Sequence, residues 1–159
     1  MGRWFLAALA LIGQLQAVPV QAAPEAVSVH SGWGAFRDGD RCYAIAQAEP
    51  SPYARERQPF ASVVVSPGEP RLTLRLSRTL ARDAVITLDV GNRRFRLAGG
   101  GDSAWARDAA DHAAVLAAMR SRDTMTVGAR DANGRFFRDA YKLAGAPTAM
   151  DAAIIACRP

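Results

Sequence analysis

Cys42 and Cys157 constrain the fold of this chain more than any other pair of residues. They are the only cysteines among 159 residues, and they stand near opposite ends of the segment that follows the N-terminal leader. If their sulfur atoms are joined, the C-terminus must lie against an early segment of the chain. Whether they are joined depends on the compartment, because disulfides persist in oxidising compartments and are rare in the cytosol.

The N-terminus carries the three parts of a secretory signal peptide. Arg3 supplies a positive charge, and residues 4–15 form an apolar stretch that is too short to span a bilayer stably. The segment 20–22 then ends in the small residue that a signal peptidase recognises. We expect residues 1–22 to be a signal peptide and residues 23–159 to be a single domain. An uncleaved N-terminal anchor is the alternative.

Export predicts a periplasmic or secreted protein with Cys42 and Cys157 joined in one disulfide. Metal binding is disfavoured, because the cysteines lack CxxC spacing and only His30 and His112 could accompany them. We predict no cofactor and no transmembrane segment after the leader.

The composition is that of a folded protein, with half of the residues apolar and 22% charged. The net charge is +5, and Lys142 is the only lysine among twenty basic residues. This charge permits weak attraction to anionic surfaces. Nucleic-acid binding is not expected, because no recognisable nucleic-acid-binding module accompanies the arginines.

Alternation of apolar and polar residues predicts a mainly β protein with about seven short strands. The clearest case is 71–77, where every second residue is leucine. Residues 84–90 and 93–97 are predicted to form a hairpin through Gly91-Asn92. The other predicted strands are 31–36, 41–47, 60–65, 124–130 and 135–140.

Two helices are predicted beside the strands. Asp102 or Ser103 is expected to cap a helix that runs to about Met119 and buries Trp105 on its apolar face. The closing helix is predicted over 148–156, directly after a proline suited to a first turn.

The predicted closing helix gives a second argument for the disulfide, independent of the number of cysteines. Met150, Ile154 and Cys157 follow helical spacing, so the cysteine belongs to the apolar stripe. Cys42 alternates with alanines in its strand, and such a face of small side chains lets a helix approach closely.

Several short motifs in this order resemble the invasion-associated locus B family of exported bacterial proteins. The matching segments are Gly32-Trp33, Arg41-Cys42-Tyr43, Ala117-Ala118-Met119-Arg120 before Met125-Thr126-Val127, and Tyr141-Lys142-Leu143-Ala144-Gly145 before an alanine-rich helix ending in Cys157. The resemblance implies an immunoglobulin-like β-sandwich, which agrees with about seven short strands and two appended helices. It implies no catalytic residues, and a role in host invasion is not carried over.

Four arginines are the main candidate for a binding surface. Alternation places Arg71 and Arg75 on the outward face of one strand, and Arg94 and Arg96 on that of another. If the two strands are neighbours, the arginines form a basic patch that can bind phosphate or carboxylate groups through paired N–H donors. The alternative is an ordinary solvated face.

The leading hypothesis is a non-enzymatic exported protein that binds another protein or an anionic envelope component. The rival is a periplasmic hydrolase in which Asp108, one helical turn earlier, orients His112 as a general base. A purely structural envelope protein is a third hypothesis. Trp33 and Trp105 are predicted to pack in the core, and an aromatic ligand platform is the alternative.

Overall fold

The computed structural model describes residues 23–65 and 69–158, and the predicted signal peptide, residues 1–22, lies outside them. The described chain is mainly β, which confirms the predicted class. Its elements are β1 (Glu25–His30), β2 (Trp33–Asp38), β3 (Arg41–Gln47), β4 (Phe60–Val65), β5 (Arg71–Arg75), β6 (Ile86–Val90), β7 (Arg93–Gly100), β8 (Ser103–Ala106), α1 (Ala109–Met119), β9 (Thr124–Arg130), β10 (Phe136–Lys142) and α2 (Ala146–Ala156).

All ten strands of the described chain form one antiparallel sheet in the order β1-β2-β3-β4-β5-β8-β7-β6-β9-β10. The expected immunoglobulin-like sandwich of about seven strands is therefore wrong in its strand count and in its division into two sheets. The count is higher because β1 and β8 were not among the predicted strands. The sheet is undivided because β8 pairs with β5 on one side and with β7 on the other. This short strand makes the hydrogen bonding continuous across the molecule.

The sheet curves until its two ends meet. Trp33 Nε1, on β2, donates a 2.8 Å hydrogen bond to the Lys142 carbonyl oxygen at the end of β10. The Glu49 amide, after β3, donates to the Ala140 carbonyl oxygen at 2.8 Å. One face of the sheet thereby encloses the core, and the predicted alternation is confirmed for β5, whose leucines are fully buried.

The first helix begins later than predicted. Residues 103–106 form β8, in which Ala104 and Ala106 are buried while the alternate side chains face outward. The helix starts at Ala109, and its cap is Asp108, whose carboxylate accepts the Asp111 amide at 2.8 Å. Pairing on both edges stabilises 103–106 as a strand and outweighs the helix propensity of its alanines.

The closing helix and the disulfide are confirmed. Helix α2 packs against β1, β2 and β3, and buried Ala149 and Ala153 let it approach the sheet closely. Cys42 on β3 is bonded to Cys157 at the end of α2, with their Cα atoms 5.8 Å apart. In the described part of the chain, neither helix has the length and apolarity needed to cross a membrane.

Candidate functional site

The four predicted arginines lie on strands that are not neighbours. Arg71 and Arg75 are on β5, Arg94 and Arg96 are on β7, and β8 lies between these strands. All four side chains are exposed, and they alternate with residues that face the core. The predicted outward orientation is therefore confirmed, whereas direct adjacency of the two strands is not.

Two of these arginines are held by carboxylates. Arg75 lies 2.8 Å from Asp102 Oδ2. Arg94 makes a bidentate pair with Asp89, with Nε 2.6 Å from Oδ1 and the second nitrogen 3.1 Å from Oδ2. The hydrogen bond from Arg94 lowers the pKa of Asp89, although partial burial opposes the shift. Two of the three guanidinium nitrogens of Arg94 therefore donate hydrogen bonds within the protein.

Arg71 and Arg96 lie on the two strands beside β8, level with Arg107 and two residues past the outward side chain of Trp105. Trp105 is the register partner of Thr73 on β5 and of Ala98 on β7. Each arginine precedes one of these partners by two residues, so both lie on the same face as the indole, about 6.7 Å further along the strands. Two strand spacings separate the arginines by about 10 Å. We call Arg71, Trp105 and Arg96 the arginine–tryptophan patch.

The two arginines of this patch have no ion-pair partner in the described part of the chain. Among the residues that the structure describes, no carboxylate oxygen lies within 4.0 Å of the guanidinium of Arg71 or Arg96. Arg107, which follows β8, is instead paired with Asp111 at 2.7 Å, and this hydrogen bond raises the pKa of Arg107. On this face, the guanidinium groups without an ion pair are therefore those of Arg71 and Arg96.

The prediction for Trp105 is wrong, whereas that for Trp33 is confirmed. Trp33 is fully buried, but 41% of the Trp105 surface is exposed. The error follows from assigning Trp105 to a helix face, because the strand β8 turns it outward. The alternation of Ala104 and Ala106 with larger or more polar side chains is the sequence signal for this arrangement.

Asp108 and His112 do not form the acid–base pair that the hydrolase hypothesis requires. His112 is 7% exposed, and its Nδ1 accepts the backbone N–H of Leu72 at 3.3 Å. The Asp108 carboxylate caps α1, and within the described chain no hydrogen bond joins it to the imidazole. Burial and the nearby Arg71 charge lower the pKa of His112, while Asp108 and Asp111 oppose this shift.

A second polar cluster lies where β10 begins, and sequence patterns did not predict it. Asp131 is fully buried and pairs with Arg78 at 3.1 Å and with Arg135 at 3.2 Å. Burial acts to raise the pKa of Asp131, but hydrogen bonds from the Arg135 and Asn133 amides and the Arg135 charge lower it overall. Two guanidinium groups are thereby fixed on one buried carboxylate.

A second buried carboxylate, Asp139, lies on the inner face of β10. Its Oδ2 accepts the Ser77 amide at 2.9 Å, and Arg55 Nε lies 3.7 Å from Oδ1. Burial raises the pKa of Asp139 against the opposing effect of these partners. Burial and the Asp139 charge also raise the pKa of Tyr141. No group of three or more histidine, cysteine or acidic side chains able to hold a metal ion occurs in the described residues.

Comparison of the chain with known family models, curated proteins and solved structures finds no match.

Proposed function

We propose that this chain is an exported, non-enzymatic binding protein of the invasion-associated locus B type, whose arginine–tryptophan patch binds phosphate-bearing head groups of anionic envelope lipids. The observation that carries the proposal is that the exposed Trp105 shares one face of the sheet with Arg71 and Arg96, which lie diagonally across from it on the two neighbouring strands, each without a carboxylate partner within 4.0 Å among the described residues. The three-part leader and the family motifs in the sequence support export and the family assignment.

The chemistry of the patch favours a lipid head group over a simple ion. A guanidinium presents N–H donors in a planar fork that matches phosphate oxygens, and Arg71 and Arg96 have these donors free. An indole combines an apolar body with one N–H donor, and tryptophan is enriched where membranes meet water. Trp105, on the same face as the two arginines, therefore adds an apolar contact near two phosphate contacts.

The buried polar bonds of His112 support a binding role over hydrolysis. Hydrolysis would require the imidazole to be oriented by Asp108 and to reach a substrate. The Nδ1 of His112 instead accepts the Leu72 amide, and the Asp108 carboxylate is bound to the Asp111 amide. His112 thereby joins α1 to β5, and Asp108 caps the start of α1.

The proposal is tested by mixing residues 23–159 with phosphatidylcholine vesicles that either contain or lack phosphatidylglycerol. Trp33 is buried and Trp4 lies in the leader, so a blue shift of tryptophan emission on binding reports on Trp105. At physiological salt each arginine near an anionic surface contributes about 1 kcal/mol. We expect the double variant Arg71→Gln/Arg96→Gln to bind about 30-fold more weakly.

The matched control is Arg75→Gln/Arg94→Gln, which removes the same charge from the same two strands but from ion-paired positions. We expect it to retain most of its vesicle affinity. Equal losses in the two double variants would show that net charge alone drives binding and would refute the patch. Absence of binding to vesicles with phosphatidylglycerol would refute the proposed function.

A further inference from the structure

A cavity of about 240 Å³ lies between the loop after β3 and the start of β10. The loop crosses the edge of the sheet at β10, where the Glu49 amide bonds to the Ala140 carbonyl oxygen. The cavity is assembled from three segments, 51–55, 77–78 and 135–138. An adjoining groove shares Tyr53, Phe136, Phe137 and Arg138 with it, so the cavity opens along β10.

Arginines dominate the polar part of the cavity wall. Arg55, Arg78, Arg135 and Arg138 line it, and no acidic residue does. The balancing carboxylates, Asp131 and Asp139, are fully buried behind the wall. A third carboxylate, Glu56, lies outside the wall and 4.0 Å from Arg78. The four guanidinium groups outnumber these three carboxylates, and the positive charge at the cavity favours an anionic ligand such as a phosphate monoester.

Three of the four guanidinium groups, those of Arg55, Arg78 and Arg135, are hydrogen-bonded within the protein before any ligand binds. Arg78 bonds to Asp131 at 3.1 Å and to the Ala54 carbonyl oxygen, and Arg135 uses its Nε for Asp131 at 3.2 Å. Arg55 donates to the Glu49 carbonyl oxygen at 2.8 Å. Fixed donors lose little conformational entropy when they bind an anion, which increases their contribution to affinity.

Arg138 is the arginine best placed to bind a ligand directly. It is exposed, and no carboxylate lies within 4.0 Å of its guanidinium among residues 23–65 and 69–158. Its guanidinium lies 5.3 Å from the centroid of the Phe136 ring, an arrangement that keeps the charge over an aromatic face.

Three aromatic residues, Tyr53, Phe136 and Phe137, also line the cavity. Phe136 is 55% exposed and Tyr53 is 78% exposed, although both line the cavity. Exposed rings beside an arginine cluster provide a stacking surface for a planar group attached to the anion. The volume is slightly below the range of drug-sized ligand pockets, so it suits a smaller molecule.

We propose that this cavity is a binding site for a small phosphate monoester carried on a planar ring, with Arg138 and Arg135 binding the phosphate and Phe136 contacting the ring. The site is distinct from the arginine–tryptophan patch, because its residues belong to different segments of the chain.

The experiment is titration of residues 23–159 with phenyl phosphate by isothermal calorimetry, with inorganic phosphate and phenol as comparison ligands. We expect saturable binding of phenyl phosphate that is tighter than binding of either comparison ligand. Arg138→Gln removes a charge-assisted contact without breaking an ion pair of the described structure, and we expect at least about a tenfold weaker affinity. Phe136→Leu should weaken phenyl phosphate binding while leaving inorganic phosphate binding unchanged.

Arg96→Gln is the matched control. Like Arg138, Arg96 lies on a strand, is exposed and has no carboxylate partner among the described residues. It should leave phenyl phosphate binding unchanged, and Arg138→Gln should leave vesicle binding unchanged. Failure of either site is therefore distinguishable from failure of the other. Absence of saturable phenyl phosphate binding, an unchanged affinity in Arg138→Gln, or equal affinity for inorganic phosphate would overturn the proposal.

Discussion

Reduction of the Cys42–Cys157 disulfide should remove a large part of the stability of the folded chain. The bond joins residues separated by 115 positions, so in the unfolded state it closes nearly the whole described chain into a loop. In the chain-entropy model a loop of this length contributes about 4.8 kcal/mol at 25 °C. Small domains have a free energy of unfolding of about 5–15 kcal/mol, so this loss is a large fraction of the total.

Urea denaturation of residues 23–159, followed by circular dichroism, measures the effect in the oxidised and the reduced protein. With an m-value of about 2 kcal/mol/M, the midpoint should fall by about 2 M on reduction. Reduction retains both sulfur atoms, so the comparison measures the cross-link rather than a change in packing at the buried Cys42.

The variant Cys157→Ala separates the cross-link from the chemistry of the reducing agent. It should unfold near the midpoint of the reduced protein, and added reductant should not shift it further. Equal midpoints for the oxidised and reduced proteins would refute the argument from loop closure. Labelling of both thiols by an alkylating reagent in the unreduced native protein would show that the bond is absent.

Two further predictions concern pH and backbone geometry. His112→Asn keeps an acceptor for the Leu72 amide but cannot titrate, so urea midpoints should become less sensitive to pH between about 7 and about 5. The wild type should lose stability on acidification, because folding lowers the pKa of His112 and the unfolded state therefore binds the proton more readily. The same pH dependence in His112→Asn and in the wild type would contradict this explanation. Gly145 has φ +84°, and an added Cβ would lie 2.0 Å from the His30 carbonyl oxygen. Gly145→Ala should therefore lower the free energy of unfolding, measured with heat or urea, by more than about 2 kcal/mol. The control is Gly134→Ala, because Gly134 has a similar φ of +77° but open space around an added Cβ, and its loss should be clearly smaller. Equal losses in the two variants would exclude the clash.

Local patterns predicted most of the secondary structure correctly. The bounds of β4 and β9 agree with the sequence prediction, and those of β3 do as well. Side-chain alternation is a local consequence of strand geometry, so it can be recognised without knowledge of the partner strand. Strand β8 was missed because its four residues, rich in alanine, are compatible with a helix until the hydrogen bonds from β5 and β7 are known.

The candidate sites depend more strongly on the folded chain. Sequence selected the four exposed arginines but could not separate the free ones from the paired ones. Arg75 pairs with Asp102, which lies far from it in the sequence, and no sequence motif indicates this contact. Arg94 reaches Asp89 because the two residues are partners in the β6–β7 hairpin. The outward position of Trp105 likewise followed from the assignment of β8.

By itself, the sequence determined the mainly β class, the burial of alternating leucines and the pairing of Cys42 with Cys157. These features follow from periodicity and from the small number of cysteines, which are properties of the chain before it folds. Only the tertiary structure decided that the strands form one continuous sheet and that Arg138 shares a cavity with Arg55. The physical reason is that such contacts join segments far apart in the chain, and their free energy depends on a packing that no local pattern contains.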